Sequence, residues 1–182
     1  MTVSGWGSSV RAMIDDEQLL TAVHDTAIRR LQHAYADVVN RRAWPELEDL
    51  FLPDTAITID TRKGEPLQLV GGRALGEFIG ASVGRFSFFE FEILNAHIVF
   101  PHGAAAESAI GRLYMCEHRL DESSGRWTNA FGLYHDRYTF DGARWWFAER
   151  NYHSLARHSP DLEVFPSPDP APIEVPGADH HS

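Results

Sequence analysis

Four long strand-like segments follow one another in the second half of the chain, and they limit the possible folds more than any other feature. They span residues 86–100, 104–120, 126–140 and 144–154, with breaks at 101–103, 122–125 and 141–142. Each break contains Gly together with Pro, Asp or Ser, a composition typical of tight turns. Consecutive strands with short connections predict an antiparallel meander.

Helical patterns precede these strands. Acidic residues at 15–17 suit a helix start, and apolar residues then recur at three- and four-residue spacing, which predicts a long amphipathic helix over 16–40. Trp44-Pro45 predicts the start of a short second helix, and the pattern at 74–79 predicts a third. Between them, residues 55–61 are rich in β-formers. Helices followed by a long sheet predict an α+β layout in which the helices cover one face of the sheet.

The length of 182 residues fits one domain. We place this domain at 15–157. Residues 1–14 are rich in Gly and Ser and are expected to form a flexible N-terminal segment. Residues 158–182 hold six of the ten prolines and are expected to form a Pro-rich C-terminal tail.

Composition excludes several classes of protein. The formal net charge of −10 argues against binding to nucleic acid or to an anionic membrane, because both need clustered Lys and Arg. Cys116 is the only cysteine, so no intrachain disulfide can form. The N-terminus lacks a basic start followed by an apolar run, and no stretch approaches the roughly 18 apolar residues of a membrane span. We therefore predict a soluble, cytoplasmic protein.

Two groups of residues carry a family resemblance. The first comprises Tyr35, residues 40–44 (Asn-Arg-Arg-Ala-Trp) and residues 50–56, and the second comprises residues 136–145. In this order they resemble the nuclear transport factor 2-like superfamily, which includes SnoaL-like polyketide cyclases, ketosteroid isomerases, scytalone-type dehydratases and dioxygenase small subunits. The resemblance implies a cone-shaped α+β barrel, with three N-terminal helices packed on a strongly curved, mostly antiparallel sheet. It also implies a homodimer formed through the outer face of the sheet.

The resemblance suggests two oxyanion-binding residues. In ketosteroid isomerases a Tyr and a protonated Asp hold an oxyanion while a second Asp moves the proton, and Tyr35 and Asp136 occupy similar positions here. An Asp in an apolar pocket has a raised pKa and can donate a hydrogen bond to an enolate. The alternative is that Tyr35 closes the core and that Asp136 is a structural acid paired with Arg112 or Arg150.

Two residues are candidates for the proton-moving group. Asp60 lies near the end of the first strand but one position late, so its alternative is a solvated strand end. Dehydratase-like members of the superfamily pair an Asp at the end of the long helix with a mid-strand His. Those places hold Asn40 and Glu90 or Phe91 here, a departure that weakens a dehydratase of that type, and the nearest histidine on that strand is His97.

Aromatic residues are dense at 86–91 and 145–147, which indicates a ligand. Imperfect alternation places aromatics on both faces, so we expect one set to line the cone and the other to be covered by a partner subunit. The expected substrate-binding residues are Trp44, Phe78, Phe89, Phe91, Met115, Tyr134, Tyr138, Trp146 and Arg150.

Register and ligand spacing give two further expectations. If the turn at 122–125 pairs residue 121 with 126, Asp136 lies opposite Gly111, while His118 and His135 lie on the other face.

No His-x-His or His-x-x-x-His spacing is present, and the glycines at 71–72 lack the pattern of a nucleotide loop. We therefore expect no dedicated metal site.

The sequence leaves two functions open. The first is an enzyme that uses cofactor-free general acid–base chemistry on an apolar polycyclic, polyketide-like or steroid-like substrate, by isomerisation, cyclisation or dehydration through an enolate. The second is a non-catalytic ligand-binding or assembly module of the same fold, such as a dioxygenase small-subunit-like protein. An enzyme requires two titratable groups that converge on the substrate, whereas a binder needs only shape and one or two polar anchors.

Overall fold

A computed structural model describes residues 15–62, 64–103, 105, 107–158 and 162–165. The segment expected to be flexible, residues 1–14, lies outside the described residues, as does most of the predicted tail at 158–182.

In the described part of the chain, three helices occur where the sequence predicts them. They are α1 (Asp16–Asn40), a 3₁₀ helix (Trp44–Asp49) and α2 (Gly71–Val83). Within the described residues, no helix is long and apolar enough to cross a membrane.

Both ends of α1 are defined by local hydrogen bonds. At the start, the Asp15 carboxylate accepts from the Gln18 amide at 2.7 Å, and the Gln18 side chain accepts in return from the Asp15 amide at 3.3 Å. At the end, Arg42 adopts a φ of 56°, in the left-handed region, and the Ala43 amide donates to the Val38 carbonyl at 3.0 Å. The chain therefore turns sharply after Asn40 and enters the 3₁₀ helix.

Among the residues that the structure describes, seven strands form one sheet. They are β1 (Phe51–Ile59), β2 (Leu67–Val70), β3 (Phe86–Val99), β4 (Ser108–Asp121), β5 (Trp127–Phe140), β6 (Trp145–His158) and β7 (Leu162–Val164). The four long strands of the predicted meander are confirmed as β3 to β6. The sequence did not predict β2, and β7 falls inside the segment that was expected to be a tail.

The strand order is β2-β1-β6-β5-β4-β3, with β7 also paired to β6. Every pairing is antiparallel except that of β1 with β6, which is parallel. The sheet is curved but does not close on itself. The predicted α+β layout, with helices before a mostly antiparallel sheet, is confirmed.

The register of β4 and β5 separates two faces. The Asp121 amide donates to the Arg126 carbonyl at 2.9 Å, and Asp136 lies opposite Gly111 as expected. We call the face that packs against α1 the inner face; it carries Leu113, Met115, Tyr134, Asp136 and Tyr138, all buried. The opposite, outer face carries His118 and His135, as the register predicts.

Helix α2 packs very closely on the 3₁₀ helix. A Cβ atom added to Gly72 would lie 2.3 Å from the Leu47 carbonyl oxygen and 2.9 Å from the Glu48 amide nitrogen. These are backbone atoms, which cannot move without shifting the 3₁₀ helix. Only glycine fits at this position.

Side chains at the C-terminal half of α1 and just beyond it bind the free edge of β3. Arg29 donates to the Ala96 carbonyl at 3.2 Å, and Arg42 donates to the Phe86 carbonyl at 2.7 Å. Between them, Asn40 accepts from the Phe91 amide at 2.7 Å and donates to the Phe91 carbonyl at 3.0 Å. The helix thus satisfies backbone groups that a terminal strand leaves unpaired.

Candidate functional site

A buried ion pair lies at the centre of the inner face. Arg150 donates from Nε to Asp136 Oδ1 and from Nη2 to Oδ2, both at 2.8 Å. Both side chains are at most 1% exposed. Burial alone would lower the pKa of Arg150, but the adjacent Asp136 carboxylate outweighs that effect and raises it. The arginine is therefore charged, and it requires the carboxylate as its counterion.

A bulge in β6 makes this pair possible. Tyr138 lies opposite Phe147, whereas Asp136 lies opposite Arg150, so the register shifts by one residue between these two positions. Without the shift, Asp136 would lie opposite Glu149. The extra residue, Ala148, turns Arg150 to the inner face, where it meets the acid.

Two further side chains complete a hydrogen-bonded chain. Gln32 of α1 donates to the Tyr138 hydroxyl at 2.8 Å, and this hydroxyl donates to Asp136 Oδ2 at 2.9 Å. The Asp136 carboxylate thus accepts three hydrogen bonds, including the two from Arg150. These contacts occupy both oxygens of Asp136 and fit the structural alternative, an acid paired with Arg150.

Aromatic rings surround the Arg150 guanidinium. Its Cζ lies 4.2 Å from the ring centroids of Tyr35, Tyr134 and Phe147. Arg150 Nη1 is buried and has no hydrogen-bond partner among the described residues, so these ring faces are its surroundings. Tyr35 is 1% exposed, and burial raises its pKa against the opposing effect of Arg150. Tyr35 and Asp136 therefore both contact Arg150, in a layer that is closed to solvent.

The structure places the two predicted proton-moving residues away from this layer. The Asp60 carboxylate accepts from the Arg62 amide at 2.8 Å and from Arg62 Nη1 at 3.2 Å. Burial would raise the pKa of Asp60, but these hydrogen bonds outweigh it and lower the pKa. His97 is exposed and pairs in register with Arg112 on the outer face. Both candidates therefore lie away from the interior, and the contacts of Asp60 fit its alternative, a solvated strand end.

The predicted substrate-binding residues divide between the faces. Those on the inner face are Phe89, Phe91, Met115, Tyr134, Tyr138 and Arg150, all buried. Phe78 of α2 and Trp44 are half-buried and pack against the core. Trp146 lies on the outer face, where its indole N–H donates to Asp141 Oδ2 at 2.7 Å. The Arg144 guanidinium stacks on its ring, with Cζ 3.5 Å from the ring centroid. Alternation turns Trp145 and Phe147 inward instead, so Trp146 was wrongly expected to line the cone.

Asn40 stands where dehydratase-like relatives have a helix-end acid, and here it binds the backbone of β3. Its amide group binds both the N–H and the C=O of Phe91. An aspartate could accept from the Phe91 amide but could not donate to the carbonyl. Asn40 is thus a structural residue that fixes the edge of β3.

Three polar residues of the inner face were missed by the sequence reasoning. Glu117 and Arg119 continue the alternation of Met115 along β4, and Arg119 forms an ion pair with Glu117 Oε2. Tyr152 of β6 is half-buried, and its ring centroid lies 5.2 Å from that of Tyr134. The period of two that placed Leu113 and Met115 inward would have found Glu117 and Arg119 as well.

Metal binding has little support in the described part of the chain. No group of three or more His, Cys, Asp or Glu side chains is arranged there to hold a metal ion. On the outer face, His135 is in contact with His153, with ring centroids 5.0 Å apart.

The sequence profile of the SnoaL-like domain matches residues 21–151, which is more than half of the chain. The chain belongs to the SnoaL-like family. The resemblance seen in the sequence is thereby confirmed. A search among curated proteins found no match.

Several solved structures share the fold of this chain. A candidate scytalone dehydratase from Novosphingobium aromaticivorans is 17% identical, with a TM-score of 0.67 over 85% of this chain and 98% of that one. The hexachlorocyclohexane dehydrochlorinase LinA-type3 from Novosphingobium barchaimii is 16% identical, with a TM-score of 0.65 over 82% and 99%. A nuclear transport factor 2-like protein from Salmonella enterica is 16% identical, with a TM-score of 0.60 over 74% and 92%. At these identities the similarity concerns the fold alone.

Proposed function

We propose that this SnoaL-like protein is an enzyme that binds a small apolar molecule against the inner face. It catalyses an isomerisation, cyclisation or dehydration by general acid–base chemistry, through an enolate and without a cofactor. The resemblance to polyketide cyclases and ketosteroid isomerases favours a polycyclic, polyketide-like or steroid-like substrate. Two of the similar structures bear the names of elimination enzymes, a dehydratase and a dehydrochlorinase, which supports acid–base chemistry in this fold.

One observation carries the proposal: tyrosine hydroxyls lie among aromatic side chains at the less buried end of the inner face. Tyr134 is 8% exposed and Tyr152 is half-buried, close to Phe89 and Phe91 on the same face. Burial raises the pKa of Tyr152 to about 12 and also raises that of Tyr134. Both hydroxyls are therefore protonated at neutral pH. Tyr134 is hydrogen-bonded to Tyr35, so Tyr152 is the hydroxyl that can donate to a developing oxyanion.

A non-catalytic binding module is the second candidate. The internal hydrogen bonding of Asp136 and the structural use of Asn40 favour it, because both residues occupy positions that resemble catalytic ones in relatives. A binder would hold the same apolar ligands without moving a proton.

Hydrogen–deuterium exchange separates these two functions. The wild-type protein is expected to accelerate exchange of the α-protons of 2-tetralone, or of larger enolisable polycyclic ketones, in D₂O, as followed by ¹H NMR. Binding of 2-naphthol, a planar phenol that mimics an enol, is measured in parallel by its fluorescence. Heat-denatured protein serves as the control. Binding of 2-naphthol without exchange of any ketone would favour the binding module instead.

We also propose that two copies associate through their outer faces. The outer face exposes apolar side chains at Phe88, Trp127 and Phe131, and the rings of Phe88 and Trp127 stack at 5.3 Å. Sedimentation equilibrium is expected to give twice the mass of the chain, and Phe131→Glu is expected to weaken the association. A monomer mass for the wild type at high concentration would contradict the proposal. Localisation in the cytoplasm stays a prediction.

A further inference from the structure

A second ion pair on the inner face lies outside the closed central layer. Glu117 pairs in register with Phe91 of β3 and with Ala130 of β5, both buried. Its side chain therefore shares the face of Met115 and points toward α1. The side chains of Glu117 and Arg119 are 17% and 21% exposed, whereas those of the central pair are at most 1% exposed. The Glu117 pair is therefore partly exposed to solvent, unlike the central pair.

The two oxygens of Glu117 are in different situations. Arg119 donates to Oε2 from Nε at 2.8 Å and also from Nη2. Among the described residues, Oε1 accepts no hydrogen bond. One oxygen is therefore anchored by a cation, and the other is free to take a proton.

The ring of Tyr152 extends along the inner face in the direction of Glu117 because residue 132 is a glycine. A Cβ at Gly132 would lie 2.3 Å from ring carbon Cε2 of Tyr152 and 2.9 Å from the Met115 sulfur. The ring thus crosses β5 directly over the glycine backbone. Glu117 pairs with Ala130, the next inner-face residue along β5 from Gly132, so its side chain and the Tyr152 ring occupy neighbouring positions of the inner face. Burial raises the pKa of Tyr152, and the negative charge of Glu117 adds to the rise.

We propose that Glu117 is the proton-moving base of the interior and that Tyr152 binds the substrate oxygen. The assignment rests on the proposed enolate chemistry and names the residues that perform it. Glu117 Oε1 removes a proton from the carbon beside a ketone carbonyl. The electron pair of the C–H bond forms a carbon–carbon double bond, and the carbonyl π pair moves to oxygen, which accepts a hydrogen bond from the Tyr152 hydroxyl. Protonated Glu117 then returns the proton to the same carbon or to a conjugated one.

The charges restrict the substrate to uncharged molecules. Arg119 already balances Glu117, so an ionic substrate would bring an unpaired charge among Phe89, Phe91 and Tyr134. The class that fits is a neutral, flat ketone with an acidic α-hydrogen.

The variant Glu117→Gln tests the base. Gln keeps the size of the side chain but accepts a proton far less readily, so exchange of 2-tetralone α-protons is expected to fall by about 100-fold or more. Binding of 2-naphthol and the thermal midpoint are expected to stay at wild-type values. Glu149→Gln is the matched control, because it removes the same charge from an ion pair with Arg137 on the outer face. That control is expected to exchange like the wild type.

Tyr152→Phe tests the second role, with an expected loss of about 100-fold in exchange because one oxyanion donor is removed. Wild-type exchange in Glu117→Gln would overturn the assignment and leave the enolate chemistry intact. Loss of both exchange and 2-naphthol binding in Glu117→Gln would show a structural role and overturn it as well. Absence of exchange in the wild type with every ketone would refute the enolate chemistry and the assignment together.

Discussion

Asp136→Asn is expected to lower the free energy of unfolding by about 3–5 kcal/mol. The change leaves the Arg150 guanidinium fully buried without a counterion, and one of its nitrogens already lacks a hydrogen-bond partner among the described residues. The Tyr138 hydroxyl loses its charged acceptor at the same time. Urea denaturation followed by tryptophan fluorescence would measure the loss.

Two further variants test whether the loss of stability comes from the unpaired buried charge of Arg150. Arg137→Gln removes an ion pair with Glu149 at a neighbouring position of β5, where both side chains are 39% exposed, and is expected to cost no more than about 1 kcal/mol. The double variant Asp136→Leu with Arg150→Met removes both buried charges and is expected to recover part of the stability. Equal losses for Asp136→Asn and Arg137→Gln would contradict the importance of the buried pair.

Gly72→Ala is expected to destabilise the protein by about 3 kcal/mol, at the upper end for overpacking. The new methyl group would lie 2.3 Å from the Leu47 carbonyl oxygen and 2.6 Å from the Leu47 carbonyl carbon. Alanine favours helices by up to about 1 kcal/mol over glycine, so a net loss must come from strain at this contact. Thermal unfolding would detect the change.

Gly80→Ala is the matched control on the same helix. Its methyl group would meet Trp44 Nε1 at 3.0 Å, an atom of a half-buried side chain that can shift. We expect a change within about 1 kcal/mol of wild type, because the helix preference for alanine offsets the crowding. If Gly80→Ala were as damaging as Gly72→Ala, the specific backbone contact would not explain the result.

Turn composition and periodicity were sufficient to predict the long elements of the fold. The turn at 122–125 fixed the register of β4 against β5, and with it the face of Asp136. Strand β2 escaped prediction because it has only four residues and is paired on one side, with β1. The parallel pairing of β1 with β6 also depends on contacts distant in sequence.

The site could be predicted only in part. Asp136 was correctly placed on the inner face, but its partner was left open between Arg112 and Arg150. The register of β4 turns Arg112, which pairs with His135, to the outer face. A bulge in β6 then brings Arg150 opposite Asp136, where an unbroken register from the turn at 141–142 would have placed Glu149. Bulges have no reliable sequence signal, so the pairing became visible only in the structure.

The side chains that bind the edge of β3 also protect the protein from self-association of the wrong kind. A terminal strand of 14 residues offers a row of free N–H and C=O groups on which another chain could add as a new strand. Arg29, Asn40 and Arg42 occupy such groups at three points along this strand. The same long helix that covers the inner face therefore blocks a route to aggregation, and variants of Asn40 are where we expect that protection to weaken first.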